Sequence, residues 1–544
     1  MNQRILILSM MICSPVLVAQ AQDAGIPRLE KRGTATQLVV DGKPFLMLGA
    51  ELHNSSSSSL DYMRPLWAQL AAIPLNTVLT PLSWELIEPQ EGQFDFTLVD
   101  GLIQGARRNN LHLVFLWLAS WKNGMSSYAP LWVKQNTRRF PRVIVKDGGP
   151  AEILTPLGRE SMEADARAFA AVMRHIRNVD GEAHTVLMMQ VENEVGVLGD
   201  SRDRSPAANQ AFNGQVPQDL MAYLQQHREA LIPEFRRVWE SAGEKPSGTW
   251  EEVFGPGVET DKIFMAWNYA RYIQGVAAAG KAEYPLPMYV NTWLAGPKAT
   301  PGQYPSGGPL PEVMDVWRAA GAAIDIYSPD IYAANFPEWC DRYNRGGNPL
   351  FIPETRGGAL AGANVFYALG AHEAIGFSPF GIDNAPGEAP PPLTETDPNN
   401  ELGKSYRVLQ SLAPIILQHE GKGEMAGFLL DQDHPRTVVE LHGYRLEVRL
   451  DDIFGSVSKT GSGLIIALGP DEFLGAGSGF RVAFGRKDSG AAHVGIGAIE
   501  EGTFSEGGWV PGRRLNGDEN DQGRYWRFSP GRINIEKAVV YQYE

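Results

Sequence analysis

Val186-Leu187-Met188-Met189-Gln190-Val191-Glu192-Asn193-Glu194 is apolar for most of its length and closes on three polar residues. The apolar part predicts a buried strand, and carboxyls at the end of such a strand sit where burial alone would forbid them. The stretch is therefore expected to be a core strand that ends at a functional site.

Working outward, short apolar β-rich runs alternate with longer helical patterns, the mark of repeated β/α units and a parallel sheet. Strands are expected at 45–54, 77–84, 112–121, 186–195, 287–294, 323–332, 350–356 and 374–383. Eight of them predict a (β/α)8 TIM barrel, not an open sheet. Helices are expected at 60–73, 98–109, 159–177, 218–242, 261–282, 311–321 and 401–418. The long stretch between the fourth and fifth strands is expected to hold insertions that build the rim of the site. A Pro-rich segment at 385–393 and the turn cluster at 397–400 predict a loop at the barrel mouth.

Past residue 420 the pattern changes to short alternating runs, at 425–431, 437–441, 445–450, 463–468, 480–485, 493–500 and 538–543. These predict a smaller C-terminal β-sandwich domain. Four regions result: a leader at 1–21, cap strands at the barrel base within 22–44, the catalytic barrel at 45–418 and the sandwich at 419–544. A chain of 544 residues suits a barrel of roughly 350 residues with an appended domain.

Residues 1–21 carry Arg4, an apolar run and Ala19-Gln20-Ala21, the order of a cleavable secretory signal. Cys13 lies within it, which leaves Cys340 alone and no intrachain disulfide after cleavage. The formal net charge of −15 becomes −16 with loss of Arg4, and an acidic, exported chain argues against nucleic acid or an anionic membrane as partner. No membrane insertion is expected, and the compartment expected is a Gram-negative periplasm, with the outer surface or medium as alternatives. Oligomeric state is left open.

Hydrolysis of a glycosidic bond with retention needs a proton donor and a nucleophilic carboxylate about 5 Å apart. The ends of the fourth and seventh strands face each other across a barrel mouth. Both end in Glu here. Alternation does not separate Glu192 from Glu194; Glu194 is nearer the mouth, and Asn193 is placed to reach a sugar 2-hydroxyl. The seventh strand, Pro349-Leu350-Phe351-Ile352-Pro353-Glu354, closes on a lone acid, and Arg356 is expected to keep it ionised.

With these residues in place the chain resembles a known group. Glu88-Pro89, Glu91-Gly92-Gln93-Phe94-Asp95-Phe96, the preceding Asn76-Thr77-Val78 and Trp84 look like the second-strand block of glycoside hydrolase family 35, the β-galactosidases of a retaining barrel clan. Asn193-Glu194 and Pro353-Glu354 fit that clan's acid/base and nucleophile motifs. The resemblance implies Glu194 as acid/base, Glu354 as nucleophile and no cofactor. The first and third strands depart from the commonest members: Gly49-Ala50-Glu51-Leu52-His53-Asn54 and Trp117-Leu118-Ala119-Ser120-Trp121-Lys122-Asn123 stand where those carry a His-Tyr pair and an Arg-Pro-Gly-Pro-Tyr block. The chain is similar to a bacterial subgroup with one C-terminal β-domain, some of whose members remove galactose from plant xyloglucan. A β-glucosidase, β-mannosidase or endo-glucanase of the clan is the alternative, and a non-catalytic carbohydrate-binding protein the remoter one.

Strand position supplies the other substrate-binding candidates: Glu51, Asn54, Trp84, Trp121, Asn291, Trp293, Tyr327, Tyr332 and Phe380. The serine run at 55–59 is expected to be a loop and helix N-cap. The ten His residues show no metal-ligand spacing, so no metal is expected.

Overall fold

The computed structural model describes residues 25–383, 401–453, 455–487, 493–505 and 508–544; the expected leader at 1–21 and the expected mouth loop at 385–393 and 397–400 lie outside them. Eight parallel strands close into a barrel: β1 (Met47–Glu51), β2 (Thr77–Ser83), β3 (His112–Lys122), β4 (Val186–Asn193), β5 (Met288–Trp293), β6 (Ile326–Ile331), β7 (Ile352–Thr355) and β8 (Gly376–Pro379). Each falls at one of the eight expected runs, and each is followed by a helix: α1 (Leu60–Ala71), α2 (Thr97–Arg108), α3 (Arg159–Asp180), α4 (Val258–Glu283), α5 (Met314–Ala319), α6 (Phe336–Tyr343), α7 (Ala359–His372) and α8 (Glu401–His419). Ser59 caps α1, its hydroxyl accepting the Tyr62 N–H at 3.3 Å.

The barrel interior is filled. Met47, Leu79, Val114, Leu116, Leu187, Tyr289, Ile326, Phe351 and Ile375 form one buried cluster with Leu38 and Val40. The last two come from the antiparallel sheet of Arg28–Arg32, Ala35–Val40 and Lys43–Phe45, which closes the base. With base and interior apolar, polar side chains gather at the opposite end, where the strands finish.

The segment expected as one helix at 218–242 is two, Gln218–Gln226 and Pro233–Ser241. Pro233 opens the second, and a proline lacks the N–H that would continue the first.

The C-terminal domain packs a six-stranded sheet against a four-stranded one around Phe428, Leu446, Phe473, Phe480, Trp526 and Phe528. Its strand Met425–Leu430 lies on α7. Backbone meets backbone there: a Cβ on Gly370 would stand 2.8 Å from Gly427 Cα, and one on Gly427 would stand 2.7 Å from Phe366 O. Leu464, Ile466 and Leu474 of the sandwich belong to the same buried cluster as the barrel's outer shell, so the two domains share a core.

Candidate active site

The end of β4 is held by the end of β3, residue by residue. Glu192 accepts the backbone N–H groups of Ser120 at 3.1 Å and Trp121 at 2.7 Å. Asn193 Oδ1 accepts from Lys122 Nζ at 3.1 Å, and Glu194 Oε2 from Asn123 Nδ2 at 2.6 Å. Glu192 and Glu194 have φ of 63° and 44°, left-handed backbone that costs a non-glycine residue about 1–3 kcal/mol and gathers at functional sites. That turn breaks the alternation which left the two acids unseparated in the sequence. Glu192 points back into the protein and Glu194 into the mouth.

Beneath them, Asp165 accepts Trp117 Nε1 at 2.8 Å, Ser120 Oγ at 2.7 Å and the Tyr272 hydroxyl at 3.3 Å. Burial, then the charge of Asp165, push the Glu192 carboxyl well above the usual range. Glu192 therefore braces the mouth from below.

On the facing side, Glu354 Oε1 accepts the Tyr332 hydroxyl at 2.5 Å, while Oε2 is buried with no donor from the protein. Arg356, expected to keep Glu354 ionised, does not reach it. It follows the last residue of β7, is exposed, and donates to the Tyr332 carbonyl at 3.0 Å. The buried cation of the mouth is Lys122, 7% exposed.

Glu51, Glu194, Asp330 and Glu354 act on one another electrostatically, with Lys122 opposing at Glu51 and Glu194. Four carboxyls around one ammonium cannot all be ionised. Burial and the Glu354 charge raise Glu194 to about 7, against Lys122 and a hydrogen bond with Asp330. Burial, then Glu354, raise Glu51 and Asp330 well above the usual range. Asn291 ties the group together: its Oδ1 accepts the Glu194 N–H at 3.0 Å and its Nδ2 donates to Asp330 Oδ2 at 2.7 Å. The arrangement offers a carboxylic acid still protonated near neutrality opposite a carboxyl with one free oxygen. Those are the parts of general acid and nucleophile.

A cavity of about 820 Å³ opens over these groups, lined among others by Asn54, Lys122, Asn123, Glu194, Trp293, Asp330, Tyr332, Glu354 and Phe380. Asn193, Glu51 and Asn291 lie buried beneath the lining. The buried atoms at the mouth without a protein partner include Glu51 Oε1, Asn54 Oδ1, Glu354 Oε2 and the donor Asn193 Nδ2. Unmatched acceptors beside an unmatched donor fit a ligand whose hydroxyls both donate and accept. Among the described residues no group of three or more His, Cys, Asp or Glu has a metal-holding arrangement.

Three candidates are elsewhere. Trp84 is fully buried and donates to Glu88 Oε2 at 2.8 Å. Trp121 is fully buried, edge-on to Tyr269 and Tyr272, and donates to the Leu154 carbonyl at 3.0 Å. Tyr327 packs against Trp317. Trp121 and Tyr327 lie on barrel strands, where alternation turns their side chains outward into the helix layer, and Trp84 opens the short helix Trp84–Ile87 that follows β2. Lys122, Asn123 and Asp330 were missed, although a lone acid in the run Ile326-Tyr327-Ser328-Pro329-Asp330-Ile331 is the same signal that marked Glu354.

Residues 67–269 match the family model described as "Beta-galactosidase", of the glycoside hydrolase 42 type, and residues 402–527 match a "Domain of unknown function". The chain is 29% identical over 207 residues to a β-galactosidase of Xanthomonas manihotis, covering 36% of this chain and 30% of that protein. It is 26% identical over 184 residues to human β-galactosidase-1-like protein 3, covering 32% and 25%. The matched segment thus spans less than a third of these relatives' length. Among solved structures, β-galactosidases of Bacillus circulans sp. alkalophilus and Rahnella sp. R3 align with TM-scores of 0.45 at 15% and 16% identity, each over 68% of this chain and 57% of theirs.

Proposed function

We propose that the chain is a retaining exo-β-galactosidase of the family 35 kind, releasing terminal β-linked galactose from oligosaccharide or polysaccharide side chains such as those of plant xyloglucan. The observation that carries the reading is the pairing, across one cavity, of Glu194, raised to about 7, with Glu354, held by the Tyr332 hydroxyl. Glu354 Oε2 attacks the anomeric carbon as the bond to the leaving oxygen breaks, and Glu194 gives that oxygen its proton. Water then attacks the glycosyl ester, losing a proton to Glu194 and freeing Glu354. The matched segment at 67–269 supports a β-galactosidase chemistry.

Tyr332 keeps one Glu354 oxygen in place and leaves the other aimed at the sugar. Asn193 Nδ2 is available to a 2-hydroxyl, and Glu51 and Asn54 to hydroxyls further round the ring. No cofactor enters these steps. The leader-like segment at 1–21 supports export, with the periplasm as destination.

A second reading has one observation in its favour. A further cavity of about 500 Å³, lined by Ser55, Ser57, Ser58, Ser83, Glu85 and Tyr128, meets the first at Asn54. A continuous cleft would suit an endo-acting enzyme of the same clan.

Proton NMR of the first sugar released from an aryl β-galactoside, beside the β-glucoside and β-mannoside, tests the reading. It predicts preferential galactoside cleavage with β-galactose formed first. Initial α-galactose, or a preference for another sugar, would contradict it.

A further inference from the structure

All 13 Trp fall among the described residues, and of these Trp293 is the single exposed one, at 40% exposure, and it lines the catalytic cavity. Exposing an indole forfeits the burial its large apolar face would otherwise gain, so a lone open one at a catalytic mouth points to a ligand that covers it. Its place on β5 says which part of the ligand. Asn291, two residues earlier, holds the Glu194 backbone N–H, and Trp293 itself pairs in register with Asp330. The Glu194 proton goes to the leaving oxygen, so the departing group lies on this side of the cavity.

We propose that the outer half of the cavity is a site for an oligosaccharide leaving group, with the Trp293 indole as the platform for the sugar next to the broken bond. The proposal rests on the galactosidase reading for the inner half. The inner end is closed and buried, with Glu51 at 1% and Lys122 at 7% exposure; the outer end runs from Trp293 past Gly296 to Asn335, Glu338, Trp339 and Arg342. About 820 Å³ holds more than one pyranose ring.

The far wall is set in advance. The Arg342 guanidinium lies 4.4 Å over the Trp339 ring and donates to Glu312 Oε2 at 3.2 Å, and Asn335 Nδ2 donates to Glu338 Oε2 at 2.7 Å. Trp339 is buried under Arg342 and cannot stack a sugar, which leaves Trp293 as the platform. Fixed charged and amide groups in the same cavity as an open indole match one sugar's hydroxyls beside another sugar's apolar face. The substrate class is a β-galactosyl oligosaccharide with at least two sugars in its leaving group.

The test compares β-galactosyl fluoride, whose leaving group has no ring to stack, with a linear β-galactosyl trisaccharide, in wild type, Trp293→Ala and Trp293→Phe. The readout is the ratio of kcat/KM for the trisaccharide to that for the fluoride. In Trp293→Ala the ratio falls about 10- to 100-fold, mainly through trisaccharide KM, and Trp293→Phe restores most of it. A ratio within about twofold of wild type in Trp293→Ala overturns the proposal. Failure of the wild type on galactosyl fluoride, with turnover of glucosyl fluoride, faults the sugar assignment instead; the same ratio then decides the platform with gluco-configured substrates. Turnover of neither fluoride overturns both.

Discussion

Glu192 and Glu194, two residues apart and both in left-handed backbone, carry their carboxyls to opposite sides of the β4 end. Glu192 takes the N–H groups of Ser120 and Trp121; Glu194 takes the Asn123 amide and faces the cavity. One acid anchors the β3 end from which Lys122 and Asn123 reach the other.

Removing the anchor therefore acts at a distance. Glu192→Gln keeps one acceptor and leaves one buried N–H unmatched, so it is expected to cost about 1–3 kcal/mol in urea unfolding. Loss of activity beyond that of stability follows from displacement of Asn123, and shows as a fall in kcat with KM little changed.

Tyr332→Phe deletes the 2.5 Å donor to Glu354. A hydrogen bond to a charged partner contributes about 1.5–3 kcal/mol, which predicts a kcat/KM lower by about 10- to 100-fold. Steady-state rates on an aryl galactoside check this; an unchanged rate would place Tyr332 outside the machinery.

The pH profile follows from Glu194. As the proposed acid, Glu194 donates from its protonated form, and its group sits near 7, so kcat/KM is expected to fall as pH rises through about 7. Lys122 lowers that value by its charge, so in Lys122→Met the alkaline limb moves to higher pH. A limb that stays put or moves down would contradict the assignment.

Asp330 separates two substitutions. Burial and its acidic neighbours keep it protonated, and an amide can accept from Asn291 while donating to Glu194 as the protonated acid does. Asp330→Asn is expected to stay within about tenfold of wild-type kcat/KM, and Asp330→Ala to fall well below it, because Asn291 Nδ2 then loses its acceptor. Equal losses in both variants would show that Asp330 works ionised.

Stability carries its own pH signature. Burial raises Glu194 to about 7 and Glu420 and Glu536 to about 8. The folded chain thus holds these protons more tightly than the unfolded chain, whose carboxyls titrate near 4.5. The contribution is intact below about 4.5 and is lost as pH rises toward 8. Glu420→Gln and Glu536→Gln are each expected to raise stability at pH 9 relative to wild type by on the order of a few kcal/mol, with little gain at pH 5, read by urea unfolding at both.

The barrel was legible because each strand is an apolar run between turn residues, and Glu194 and Glu354 because acids at the ends of such runs stand out. What escaped depended on direction. Trp121 and Tyr327 lie in β-strands and Trp84 directly after one, yet they face the helices, because alternation sends every second residue to the helix layer and the phase of that alternation does not show in a run that is apolar on both faces. Lys122 and Asn123 follow directly on Trp121, and only the tertiary pairing with Asn193 and Glu194 gives them a role. Arg356 was assigned by nearness in sequence, which does not fix where a side chain goes once the strand has ended.

The proposed roles of Glu194 as acid/base and Glu354 as nucleophile on a β-galactoside underlie the rest. Hydrolysis of p-nitrophenyl β-D-galactoside by wild type, Glu194→Ala and Glu354→Ala, with and without azide, tests them most directly. Turnover is expected to be lost in both variants, with azide yielding β-galactosyl azide from Glu194→Ala and the α-azide from Glu354→Ala. Full activity in either variant, or the two azides exchanged, would contradict them.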